Sequence, residues 1–161
     1  MSKLWKRHMR SLMNLWLPFL GAGIRVTRLQ DDWKAIDVEM KLRFWNSNFV
    51  GTHYGGSLYS MTDPFYMLML IENLGRNYIV WDKSATIRFR KPGKGRVMAS
   101  FRLSDETIAH IRQQLETEEK VQPTFKVEVR DEANAVVAEV EKVLHVRKKE
   151  MLPKDELSIS S

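Results

Sequence analysis

From Pro64 to Leu74 the chain is apolar on nearly every side, and Gly75 closes the run. A helix of that kind has no face to give to water, so the rest of the fold must be built to cover it. Just upstream, Asn48, Gly51, His53, Tyr54, Gly55 and Gly56 crowd into one short stretch. Glycine permits positive φ and close backbone approach, which predicts a tight loop feeding the buried helix, with a single acid, Asp63, a short way into it. The N–H groups at a helix start are unpaired and sit at the positive end of the dipole. A ligand carbonyl or anion can be held there by the main chain alone.

Strands are expected on both sides of that helix. Residues 2–20 mix basic side chains with apolar ones at 5, 9, 12, 13 and 16, the repeat of an amphipathic helix stopped near Pro18 and Gly21. Its expected place is against its own domain or a subunit partner, with membrane-surface contact as the alternative. From Gly23 the period falls to two, predicting a hairpin through Asp31 and Asp32 with Ile36, Val38, Met40, Leu42 and Phe44 on one face. The central helix spans about residues 55 to 75. After it come a strand from Tyr78 to Arg90, a turn at 91–95, and a strand carrying Val97, Ala99, Phe101 and Leu103. Ser104 then caps a short helix that turns Ile108, Ile111 and Leu115 inward. A final pair of strands is joined by a turn at 131–134, and Val136, Ala138, Val140, Leu144 and Val146 form the last buried row.

No strand–helix–strand repeat of the parallel kind occurs. The fold class is therefore α+β, an antiparallel sheet wrapped around one long apolar helix, with an additional N-terminal helix. The divisions are an amphipathic helix over 1–22, one domain over 23–148 and a polar tail over 149–161. One sheet wraps only part of such a helix, so a homo-oligomer, a dimer or a dimer of dimers, is expected.

Composition narrows the function classes. The absence of cysteine removes disulfides, thiolate zinc sites and a cysteine nucleophile, and suits the cytoplasm. A net charge of +6 favours anionic partners, yet there is no RNP-type run or helix-turn-helix spacing, so nucleic acid is not expected. No apolar run is long enough to span a bilayer, and Ser11 and Asn14 interrupt the apolar part of the first segment, unlike a signal peptide. His8, His53, His110 and His145 are scattered, so no metal site is expected. Ser57 and Ser60 stand outside a G-x-S-x-G elbow, which argues against a serine hydrolase.

The spacing of Asn48, Gly51, Tyr54, Gly55 and Gly56, followed by Asp63, resembles the hotdog-fold acyl-CoA thioesterases, and among them the phenylacetyl-CoA thioesterase-like branch. Thr86, Phe89, Pro92 and Gly95 are similar to that family's pattern at the turn between its third and fourth strands. The resemblance implies a thioester carbonyl held by the amides of Gly56 and Gly55, and an Asp63 from the opposite subunit that activates water or attacks the carbonyl itself. It further implies that the Asn48 amide positions water or the leaving thiolate, with Gly51, His53, Tyr54 and Gly55 around an acyl-CoA substrate and no separate cofactor. Arg90 and Lys91, in the densest positive stretch, suit the phosphates of coenzyme A or simply a solvated strand end. Where the family has histidine, this chain has Tyr54, which keeps a non-catalytic acyl-CoA binder in view. A dehydratase or hydratase on the same fold would need His53 paired with an acid. Asp63 followed by Pro64 equally suits a helix N-cap.

Overall fold

The structure, a computed structural model, describes residues 3–149, with side chains from residue 8 onward. The polar tail expected over 149–161 lies, apart from Lys149, outside the described residues. Helices α1 (Lys3–Leu15) and α2 (Leu17–Ala22) precede a hairpin of β1 (Ile24–Leu29) and β2 (Ala35–Lys41). Helices α3 (Gly55–Ser60) and α4 (Phe65–Leu74) follow, then β3 (Tyr78–Phe89), β4 (Arg96–Arg102) and α5 (Asp105–Thr117). The short β5 (Lys120–Val121), β6 (Thr124–Asp131) and β7 (Val136–Lys148) complete the chain. Every pairing is antiparallel, in the order β1-β2-β4-β6-β7-β3, with β5 beside β7.

The two-residue alternation supplies the inner face of this sheet. Ile36, Val38 and Met40 of β2, Val97, Ala99 and Phe101 of β4, and Val127 and Val129 of β6 are all buried. Against them lies α4, whose Phe65, Met69 and Leu70 are fully buried. Each such side chain contributes about 1.5–3 kcal/mol relative to an exposed one. Aromatic contacts weld the start of α4 to the sheet: Phe65 meets Phe101 at 4.8 Å, and Tyr66 stacks on Phe125 at 4.5 Å. Phe19 of α2 joins the same junction, 5.9 Å from Phe65. At the other end, the Asn73 amide donates to the carbonyls of Asp32 and Trp33 and ties α4 to the β1–β2 turn.

The central helical stretch runs from Gly55 to Leu74 in two pieces, separated by a turn at 61–64. Pro64 has no N–H with which to continue the ladder, and the Thr62 hydroxyl donates to the Tyr59 carbonyl at 2.7 Å. Pro18, expected to stop the first helix, instead lies in the first turn of α2, where its missing N–H costs nothing. Strand β2 stops at Lys41, short of the predicted Phe44, which is exposed. The cause is Asn46. Its Oδ1 accepts from the Arg43 N–H at 2.6 Å while its Nδ2 donates to the carbonyls of Lys41 and Ala22, folding the chain away from the sheet.

The two sheet edges are treated differently. Asn14 of α1 exchanges a pair of hydrogen bonds with Val26 of β1, accepting from its N–H at 2.7 Å and donating to its carbonyl at 3.1 Å. The Arg10 guanidinium adds a bond to the Thr27 carbonyl, so α1 covers that edge. At the other end, among the described residues, β3 pairs only with β7, leaving a long outer edge open. Among the described residues no helix is long and apolar enough to cross a membrane.

Replacing Asn14 by Ala leaves the Val26 N–H and carbonyl without these partners. Urea denaturation is expected to show a loss of about 1–3 kcal/mol, and an unchanged midpoint would contradict the docking role given to Asn14.

Candidate active site

The loop before α3 is built by Asn48. Its Oδ1 accepts from the amides of Val50 and Thr52, at 3.1 and 3.0 Å, while its Nδ2 donates to Thr52 Oγ1 at 2.8 Å. The side chain expected to position water or a leaving group is thus engaged in shaping the loop. Gly51, at φ +76°, sits where a Cβ would be strained, and the turn needs it for that reason. Gly55 and Gly56 have ordinary negative φ and serve by close approach instead. A Cβ on Gly55 would lie 3.0 Å from the Phe89 ring, and one on Gly56 would lie 2.4 Å from the Tyr54 ring. Tyr54 is the N-cap residue of α3 and supplies no side-chain cap to the helix start.

A cavity of about 420 Å³ opens at this point, lined by Asn48, Thr52, His53, Gly55, Phe89, Arg90, Lys91 and Gly93 among others. It therefore gathers Asn48, His53, Gly55, Arg90 and Lys91 from the sequence-derived set. Gly51, Tyr54 and Gly56 border the same loop without lining it. A larger cavity, about 580 Å³ between α5 and the β5–β6 segment, contains none of that set. Arg90 and Lys91 are not free cations: Arg90 pairs with Glu139 at 2.7 Å, and Lys91 pairs with Asp131. Trp45 and Phe49 are exposed, whereas Met61, Phe65 and Met69 are fully buried core.

His53 is buried, and its Nε2 lies 3.1 Å from the Gly95 carbonyl. A carbonyl only accepts, so Nε2 carries the proton and Nδ1 is left as a buried acceptor with no partner among the described residues. Among the described residues of one chain no carboxylate is paired with it, so the histidine–acid pair that a dehydratase would need does not form there.

Asp63 lies in the turn between α3 and α4, away from that cavity. It lines a smaller one of about 160 Å³ with Trp16, Pro18, Phe19, Tyr59, Ser60 and Pro64. It does not cap α4, whose N-cap is Pro64 with no side-chain cap bond. Its carboxylate goes to Lys142 instead, with Oδ1 3.1 Å from Nζ. Lys142 also meets Asp82 Oδ2 at 3.0 Å and the Asp63 carbonyl, and its side chain is 0% exposed. A β-bulge in β3 between Asp82 and Ser84 breaks the pairing register with β7 beside this contact. Burial raises the Asp82 carboxyl above its ordinary value, the Lys142 contact opposes this, and the Asp63 charge adds to the rise. The Tyr59 hydroxyl is pushed far above the usual phenol range by burial, by its hydrogen bond to Asp63 and by the charges of Asp63 and Asp82.

Lys142 and Asp82 were missed by sequence reading, although one signal was present. Lys142 sits between Val140 and Leu144 on the inward row of β7, and a lysine there calls for a buried acid.

The architecture is the hotdog fold, shared with several solved structures. A protein of unknown function from Pseudomonas aeruginosa, described as a probable thioesterase, aligns over 92% of this chain and 97% of its own, with 23% identity and a TM-score of 0.77. A Haemophilus influenzae thioesterase aligns over 92% and 93%, with 14% identity and a TM-score of 0.64. A Chlorobaculum tepidum protein of unknown function aligns over 89% and 94%, with 13% identity and a TM-score of 0.69. At these identities the likeness establishes the fold alone. Residues 6–146 match the family model described as a domain of unknown function, DUF4442, and the chain belongs to that family. No curated protein matches the sequence.

Burial holds the His53 imidazole below its ordinary 6.5, with the Gly95 contact opposing. The unfolded chain then binds this proton more readily than the folded one. The stability linked to His53 is complete above that ordinary value and is lost as pH falls toward the folded value. Between about pH 7 and pH 5 the melting temperature of His53→Gln is expected to fall less steeply than that of the wild type. Parallel profiles would remove His53 as a source of acid sensitivity.

Proposed function

We propose that this chain hydrolyses acyl-CoA thioesters to a free acid and coenzyme A, at a site completed by a second copy of itself. The observation that carries the reading is the 420 Å³ cavity at the start of α3, where Gly55, His53, Asn48, Arg90 and Lys91 meet. The fold likeness to the Pseudomonas aeruginosa protein described as a probable thioesterase and to the Haemophilus influenzae thioesterase supports it.

In this reading the thioester oxygen lies at the amides of Gly55 and Gly56, which gather its charge as the carbonyl carbon becomes tetrahedral. The Asp63 carboxylate takes a proton from water while the water oxygen bonds to that carbon. In the covalent version Asp63 adds to the carbon itself, loss of the thiolate leaves an anhydride, and water opens it to the acid and the free carboxylate, releasing the proton that the thiolate takes up. Collapse of the adduct breaks the C–S bond, and the thiolate takes up the proton to leave as the thiol of coenzyme A. Coenzyme A enters as part of the substrate, and no separate cofactor is required. Its phosphates would draw Arg90 and Lys91 away from Glu139 and Asp131 at the cavity rim.

Within one chain Asp63 and Gly55 face different cavities. The reaction therefore calls on the Asp63 of a second copy, which two features favour. Among the described residues the outer edge of β3 is long and uncovered, an edge of the kind that pairs with another strand. Ile71, on the side of α4 left incompletely covered by its own sheet, is 38% exposed.

A thiol-release assay across a panel of acyl-CoAs is expected to show hydrolysis that Asp63→Asn lowers by on the order of 10²- to 10⁴-fold in kcat. Binding of acyl-CoA without release of thiol would favour the non-catalytic reading suggested by Tyr54. Sedimentation at micromolar concentration is expected to show a dimer or larger assembly. A stable monomer that still hydrolyses thioesters would overturn the shared site.

A further inference from the structure

We propose that Lys142 is the positioning residue for the Asp63 carboxylate, with Asp82 holding the Lys142 ammonium in place from β3. The inference rests on the reading of Asp63 as the group that acts on the thioester. Lys142 Nζ meets three oxygens: Asp63 Oδ1 at 3.1 Å, Asp82 Oδ2 at 3.0 Å and the Asp63 main-chain carbonyl. Two of the three N–H donors of the ammonium go to Asp63, and Asp82 is ion-paired to the same group. With its side chain 0% exposed, Lys142 lines neither the cavity at Gly55 nor the one at Asp63, and it acts through Asp63 rather than on the reacting atoms.

The contact grips Asp63 at two points, carboxylate and carbonyl. This sets the main chain of the 61–64 turn and the direction of the side chain together, at the one place where the central helical stretch is interrupted. Within the cluster the exposures are graded: Lys142 is closed, Asp82 is 26% exposed and Asp63 is 46% exposed. The carboxylate presented outward is therefore the one held from behind. The Tyr59 ring, 5.7 Å from Nζ, closes the side toward the small cavity. A lysine whose only task was to fasten β7 to the helices would have no need to hold the most accessible acid of the group by its reactive end.

The chain contains no cysteine, so Lys142→Cys introduces a single thiol that can be alkylated selectively. In denaturant, 2-bromoethylamine transfers an aminoethyl group to the thiolate with loss of bromide, restoring an ammonium at nearly the original length. Iodoacetamide fills a similar volume without charge. After refolding, beside wild type taken through the same cycle, the unmodified and carbamidomethyl forms are expected to lose on the order of 10²-fold in kcat with KM changed by less than about threefold. The aminoethyl form is expected to recover most of that loss. Equal recovery by the neutral form, or no loss in either, would overturn the proposal.

If these forms do not refold, the double variant Lys142→Met with Asp82→Asn removes the ammonium together with one of its two carboxylates. With a wild-type melting temperature, its kcat is expected to fall by a similar factor, and an unchanged kcat overturns the positioning role. Failure of the functional reading looks different. Hydrolysis that survives Asp63→Asn, or that no acyl-CoA supports, sinks both, whereas Asp63-dependent hydrolysis indifferent to Lys142 sinks only this inference.

Discussion

The junction of Phe65, Tyr66, Phe101 and Phe125 fixes where the central helices lie, and most other features follow from it. Once Phe65, Met69 and Leu70 are committed to the inner face of the sheet, β2, β4 and β6 must present their apolar rows to α4. The β1–β2 turn is then brought to the end of α4, where Asn73 fastens it. Helix α3 cannot simply continue into α4, because Pro64 lacks the N–H that the ladder needs. The turn that results projects Asp63 toward β7 and β3. A helical stretch dictated by apolar burial thus delivers a carboxylate to a defined place at its own interruption.

Electrostatics explain why that carboxylate is not merely exposed on a turn. An ammonium taken fully out of water is very costly unless it is paired and hydrogen-bonded. Lys142 meets that requirement with two acids and a carbonyl, and the bulge at Asp82–Ser84 lies where β3 supplies the second acid. The cluster then carries two carboxylates for one ammonium. Asp82, the more enclosed acid, is raised above its ordinary value chiefly by burial, with the Asp63 charge adding to the rise, and its Oδ1 is buried without a hydrogen-bond partner among the described residues. Asp63 keeps access to solvent.

Much of the architecture is legible in the local pattern of the chain. The alternating rows of β2, β4 and β6, the Ser104 cap on α5 and the inward Ile108, Ile111 and Leu115 follow directly from local period and capping chemistry. The misreadings share a cause. Phe44 was assigned to a buried row because its period fits, but Asn46, distant in pattern terms, closes the strand through its side-chain amide. Asn48 was given a chemical role on the strength of its spacing, yet its amide is spent on the loop. At the start of β7 both Val137 and Ala138 are buried, an irregularity that strict alternation cannot express. Of the three glycines, expected to give positive φ and close backbone approach, only Gly51 adopts the first, while Gly55 and Gly56 supply the second. Short polar side chains decide such details through individual hydrogen bonds, and a periodicity argument does not see them.

By itself the sequence determined the α+β class, the antiparallel order of period-two strands around an apolar helix, and the loop at which Asn48, His53 and Gly55 gather. Those properties reside in local spacing and in the need to remove apolar surface from water. Only the tertiary structure decided that Asp63 faces Lys142 and Asp82 rather than its own helix, and that it lies in a different cavity from Gly55. Only it decided that one sheet edge is sealed by Asn14 while the other is left open. Pairings of that sort join residues far apart in the chain, where no repeat carries information. Their strength comes from exclusion of water, which exists only after the chain has folded.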